Sequence, residues 1–84
     1  MKTPELGPED REMLYVVTDL EGDMLPSTAV SVFPGVWQVR CAVPTVAAIA
    51  HDASALGRHA YVTRSEREAA ETALALHLTK RRLR

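Results

Sequence analysis

Residues 63–83, TRSEREAAETALALHLTKRRL, carry a helix signal at every level at which one can be read. Thr63 stands three residues before Glu66 and Ser65 three before Glu68, and either pair suits a capping box. Glu66, Glu68 and Glu71 fill the early turns, where the positive end of the helix dipole favours them. Lys80, Arg81, Arg82 and Arg84 crowd the far end, where orphan carbonyls favour cations. Between them Ala69, Ala70, Ala73, Leu74, Ala75, Leu76 and Leu78 are strong helix formers, uninterrupted by Gly or Pro. Ala70, Ala73, Leu74 and Leu78 recur at the spacing of one face, which Ala69 and Leu76 widen. The pattern predicts a helix over 64–83 whose small alanines let it lie close against another element.

Working back from that helix, residues 28–43 hold two β-rich runs, TAVSVF and VWQVRCAV, separated by Pro34-Gly35. A Pro-Gly pair suits the centre of a type II turn, so a hairpin is expected. In the second run Trp37, Val39, Cys41 and Val43 alternate with Gln38 and Arg40, as in a strand with one face on the core. Pro44 then ends the hairpin and Thr45 can cap a short helix at 46–56, with Val46, Ile49, Ala50, Ala53 and Leu56 at helical spacing. Gly57 is its natural terminator, and a third strand at 45–51 is the alternative, because Val46 and Ile49 are β-branched. Residues 59–63 form a brief extended link to the last helix. Earlier in the chain, residues 13–18 are β-branched and aromatic strand material, and 19–23 read as a turn with Gly22 free to take a positive φ. A continuous helix over 8–21 competes, because Met13, Val16, Val17 and Leu20 also share a helical face. Residues 1–8, with Pro4, Gly7 and Pro8, read as an extended arm. The expected fold is α+β: a small antiparallel sheet, the hairpin plus strand 13–18, covered on one face by the long helix 64–83 and the short helix 46–56.

Eighty-four residues suggest a single small domain. Such a chain buries only about two thirds of its unfolded surface, which leaves a thin margin of stability. One cysteine excludes an internal disulfide and a Cys-x-x-Cys metal framework. A second copy of the chain is the usual way to complete so small a core, so a homodimer is expected. No apolar run approaches the roughly 20 residues that span a bilayer, and the acidic start, MKTPELGPEDRE, lacks the core of a signal peptide. A soluble cytoplasmic protein follows as the expectation. The net charge of −1 conceals an asymmetry. Residues 1–30 carry seven carboxylates against Lys2 and Arg11, a balance of −5; residues 31–84 carry eight Lys/Arg against four Asp/Glu, a balance of +4. The two halves can attract one another within a chain or between chains.

Little in the chain points to catalysis. His51, Asp52 and Ser54 are close in sequence, but adjacent helical side chains diverge by about 100°, and no Gly-x-Ser-x-Gly elbow accompanies them. His51, His59 and His77 do not have the i, i+4 spacing of a helical zinc pair. Cys41 alternates with Trp37, Val39 and Val43 and reads as a core thiol. The glycines, at 7, 22, 35 and 57, form no phosphate loop. No catalytic residue, metal ligand or cofactor site is therefore expected. The basic residues Arg58, Arg64, Arg67, Lys80, Arg81, Arg82 and Arg84 are the candidate contacts for nucleic acid or an acidic partner. If both ends of the helix faced one surface, a phosphate backbone could be tracked there. Against this stand the acidic overall balance, with pI about 6.3, and the scarcity of stacking aromatics.

The segment SEREAAETALALHL, residues 65–78, resembles the helix that follows the small sheet in HicB-type antitoxins and also the last helix of double-stranded-RNA-binding domains. The strands before it depart from both families' motifs. Arg64-Ser65-Glu66 stands where paired lysines open the RNA-binding helix, so no functional residue carries over. The expected function is a small non-enzymatic adaptor or regulator that binds another protein and itself. The alternative is a nucleic-acid-binding regulator using the basic C-terminal helix.

Overall fold

The computed structural model describes residues 12–82. The arm read at 1–8 and the candidate contact Arg84 lie outside the described residues. The element order is β1 (Met13–Thr18), a 3-10 turn (Gly22–Met24), β2 (Val30–Phe33), β3 (Val36–Ala42), α1 (Val43–Ala55), β4 (Ala60–Thr63) and α2 (Glu66–Arg82). The four strands form one sheet in the order β2-β3-β1-β4, with every neighbouring pair antiparallel. β3 and β4 therefore run parallel on either side of β1, and α1 connects them as a split β-α-β unit. The α+β class, the strand at 13–18, the hairpin and both helices agree with the sequence expectation.

β1 is the centre of the molecule. It pairs with β3 from Met13↔Ala42 to Thr18↔Trp37 and with β4 from Tyr15↔Thr63 to Thr18↔Ala60. Val16, Val17 and Thr18 are completely buried. Val16 packs in a cluster with Leu20, Val39, Cys41, Val46, Ile49 and Ala53 of α1 and its side of the sheet; Val17 packs with Val36, Ala69, Ala73 and Leu76. Consecutive strand side chains point to opposite faces, so the two clusters lie on opposite sides of the sheet.

This corrects the expectation that both helices cover one face. α1 lies on one side, together with Leu20 and Leu25 of the loop after β1; α2 lies on the other. The reason is the composition of β1. A central strand that is apolar at successive positions presents two hydrophobic faces, and one layer of helices cannot cover both.

The helix ends show where local signals act. At α2 the Ser65 hydroxyl accepts the Glu68 N–H at 3.1 Å, so Ser65 rather than Thr63 is the cap. Thr63 instead donates its hydroxyl to the Ser65 carbonyl at 3.2 Å. α1 begins at Val43, not 46, with Pro44 inside its first turn and no side-chain cap, so Thr45 does not serve as one. Pro44 is harmless there because first-turn N–H groups have no helical partner to lose. Gly57 ends α1 as expected, at φ 67. Its N–H donates to the Ser54 carbonyl at 3.2 Å and that of Arg58 to Ala53 at 2.7 Å, the two bonds of a Schellman motif.

Two glycines in turns differ in purpose. Gly35 takes φ 77 in the hairpin turn, as Pro34-Gly35 requires. Gly22 is not at positive φ, contrary to the sequence expectation; it makes room for Trp37. A Cβ on Gly22 would stand 2.4 Å from the Trp37 ring. Gly22→Ala is therefore expected to lower stability by about 1–3 kcal/mol, the usual penalty for overpacking. Urea unfolding followed by the emission of Trp37, the only tryptophan, measures this, and an unchanged midpoint would show that the ring is not held there.

Candidate functional site

The seven basic candidates do not form one surface. β1 and β4 are antiparallel, so the start of α2 lies at the N-terminal end of β1 and its last turn about 24 Å away, at 1.5 Å per residue. At the first end Arg64 is ion-paired with Glu12, and Arg67 with Glu71 at 3.6 Å along the helix. At the other end Lys80 donates to the Gly35 carbonyl at 3.3 Å and Arg58 donates to the Asp19 carbonyl at 3.4 Å. Arg81 and Arg82 are exposed nearby on the last turn. Arg58, Lys80, Arg81 and Arg82 thus share one end of the sheet, and Arg64 and Arg67 are separate from them.

That same end holds a buried carboxylate which sequence reasoning assigned to a turn. Asp19 is 8 % exposed. Its Oδ1 accepts the backbone N–H of His59 at 2.8 Å, and its Oδ2 lies 3.3 Å from His59 Nδ1. The Thr18 hydroxyl donates to the His59 carbonyl at 2.7 Å and accepts the Leu20 N–H at 3.1 Å. Together these bonds tie the end of β1 to the entry of β4, across 40 residues of sequence. Burial alone would raise the Asp19 pKa; the backbone N–H of His59, its ring and charge, and the charge of Lys80 outweigh it and leave the carboxyl below its ordinary 3.8. No local pattern marks this pair, since its two halves meet only when β4 docks on β1.

Beside His59 the outer edge of the sheet is open. β4 ends the strand order and has a strand neighbour on one side only among the described residues. Tyr61, opposite Val17, faces the α2 side, and Val62, opposite Val16, faces the α1 side. They remain 42 % and 47 % exposed. On the α2 side a groove of about 380 Å³ runs between β4 and the helix, lined by His59, Tyr61, Glu71, Thr72, Ala75, Leu76 and Thr79. The His59 ring stacks on Tyr61, with centroids 5.9 Å apart. Its lining mixes apolar Tyr61, Ala75 and Leu76 with polar His59, Glu71, Thr72 and Thr79, a combination suited to receiving a side chain.

The other sequence candidates lie elsewhere. His51 is exposed on α1, and among the described residues no side-chain hydrogen bond joins His51, Asp52 and Ser54. His77 stacks on Phe33 with centroids 4.4 Å apart, away from His59. No group of three His, Cys, Asp or Glu side chains that could hold a metal occurs among the described residues. Cys41 is a free, buried thiol whose pKa burial raises. No helix among the described residues is long and apolar enough to cross a membrane.

Neither a protein-family model, nor a curated protein, nor a solved structure matches this chain.

The depressed pKa of Asp19 sets a sign for pH dependence. A carboxyl whose folded pKa lies below its unfolded value contributes stability above the unfolded value, near 3.8, and loses it as pH falls through the folded one. Asp19→Asn, which keeps an oxygen for the His59 N–H, is expected to flatten the acid limb of the stability curve below about pH 4. Thermal unfolding between pH 2 and pH 7 tests this over the range that Asp19 governs. An unchanged acid limb would mean that the charge of Asp19 adds nothing in the folded state.

Proposed function

We propose that the protein is a small cytoplasmic, non-enzymatic adaptor or regulator that acts by binding another protein, and that it works as a homodimer. The observation that supports this reading most is the β4 edge. A sheet edge offers a row of main-chain donors and acceptors, and proteins usually blunt it with charge, proline or a covering element. Here the strand itself reads Ala60-Tyr61-Val62-Thr63, with a large apolar side chain exposed on each face and a groove beside it. An extended segment added at this edge would gain main-chain hydrogen bonds from β4, and alternate side chains would contact Tyr61 and the groove on one face and Val62 on the other. The Asp19–His59 tie fixes the strand beforehand, which lowers the ordering cost of binding.

A second reading, nucleic-acid binding, draws on the cluster of Arg58, Lys80, Arg81 and Arg82 at one end. It lacks the continuous tract along α2 that would follow a phosphate backbone, since Arg64 and Arg67 stand at the far end beside carboxylates.

Extended peptides selected from a display library, titrated against the isotopically labelled protein, test the first reading. The expected shifts centre on residues 59–63 and on Thr72, Ala75 and Thr79. Tyr61→Ala is expected to weaken such binding by about 2 kcal/mol, as for a central aromatic contact, and Val62→Lys to weaken it while the melting temperature holds. A mixed-sequence oligonucleotide at two salt concentrations tests the second reading. Salt-sensitive binding that is lost in an Arg81→Ala, Arg82→Ala double variant, with no peptide response at β4, would overturn the first in favour of the second.

A further inference from the structure

The sequence of α2 holds two apolar faces, and only one meets the sheet. Ala69, Ala73 and Leu76 are buried against Val17 and Val36. Ala70, Leu74 and Leu78, the face with the larger side chains, point to solvent, and Leu74 and Leu78 are 47 % and 46 % exposed. A helix turned to water on its outer side is ordinarily polar there. Residues at i and i+4 lie one above the other, so these three side chains form a continuous stripe along the middle of the helix.

We propose that a second copy of this chain covers the stripe, with the two α2 helices packed antiparallel about a two-fold axis. This rests on the homodimer in the reading above and assigns its surface. Charge complementarity selects the occupant. The first two turns of α2 carry Glu66, Glu68 and Glu71 against Arg67, and the last turn Lys80, Arg81 and Arg82, so antiparallel pairing sets each net-acidic half against the partner's basic half and opposes the two helix dipoles. The register agrees in detail. An axis level with Leu76 sets Leu74 against the partner's Leu78, and Leu78 against the partner's Leu74. Glu71 and Arg82 lie three turns apart on the same flank of the stripe, at 3.6 residues per turn. A two-fold of this kind brings like flanks together, so it also sets Glu71 beside the partner's Arg82, and this contact occurs twice. The existing Glu71–Arg67 pair is no obstacle. Its side chains are 68 % and 88 % exposed, and such a pair is weak in water. A parallel dimer would oppose like charges along the same stripe.

Light scattering and sedimentation of the full chain test this. The expected result is a dimer whose dissociation constant rises about a hundredfold in a Leu74→Glu, Leu78→Glu double variant, since each apolar contact is lost twice. Circular dichroism checks that this variant keeps its helix content, as its substituted residues are exposed. Glu71→Arg alone and Arg82→Glu alone are each expected to weaken the dimer several-fold, and the two together to restore it. A strictly monomeric protein overturns the proposal, as does a dimer that survives the leucine changes but is lost in Val62→Lys, which would place the self-contact at β4. Failure here is separable from failure of the partner-binding reading: peptide binding at β4 by the Leu74→Glu, Leu78→Glu variant would leave that reading standing.

Discussion

The burial of β1 on both faces is the constraint from which the rest of the molecule follows. Val16 and Val17 are adjacent in sequence and both are wholly out of water, which requires a layer of apolar side chains above the sheet and another below. α1 and the loop after β1 supply the first, and α2 supplies the second. From Tyr15 to Thr18 the strand is paired along both edges as well, with β3 on one side and β4 on the other. Every other element is placed by its relation to this one strand.

Two surfaces follow from that arrangement. With β1 at the centre of so short a sheet, β4 must be an edge, and the Asp19–His59 bonds hold it there without covering its outer side. With α2 alone on its face of the sheet, nothing among the described residues packs against the helix's outer stripe. The two surfaces adjoin at Glu71, which lines the β4 groove and also flanks the outer stripe of α2. The Asp19 carboxylate also has a clear division of labour. It is buried, doubly bonded to one residue and held ionised, which makes it an anchor of the β1–β4 junction and only indirectly a part of any binding surface.

Much of this was legible in the residues. The β-branched and aromatic run at 13–18, the Pro34-Gly35 turn, Gly57 as a helix terminator and the acid-to-base gradient of 64–83 are local signals, and each led to the element observed. What local signals do not carry is which side of the sheet a helix takes. In α2, Ala70, Leu74 and Leu78 look like the better core face by size, yet the close approach to β1 selects the alanine face with Leu76. Pro44 is an ordinary breaker by composition, and only its first-turn position makes it compatible with α1. Gly22 reads as a turn glycine until the Trp37 ring is seen against it. Of the candidate site residues, the sequence lists the cations but carries no sign of their separation to two ends of the molecule. It is silent on the edge at Tyr61 and Val62, which exists only because β1 separates β4 from the hairpin.

Amide hydrogen exchange across a series of low denaturant concentrations tests the central role of β1 most directly. If the molecule is organised around this strand, the amides of Val16 and Val17 exchange only through global unfolding, with the steepest denaturant dependence in the chain. Amides on the outer side of β4 exchange far sooner. Exchange of Val16 and Val17 by a local, denaturant-independent opening, or protection in β4 equal to theirs, would contradict the account.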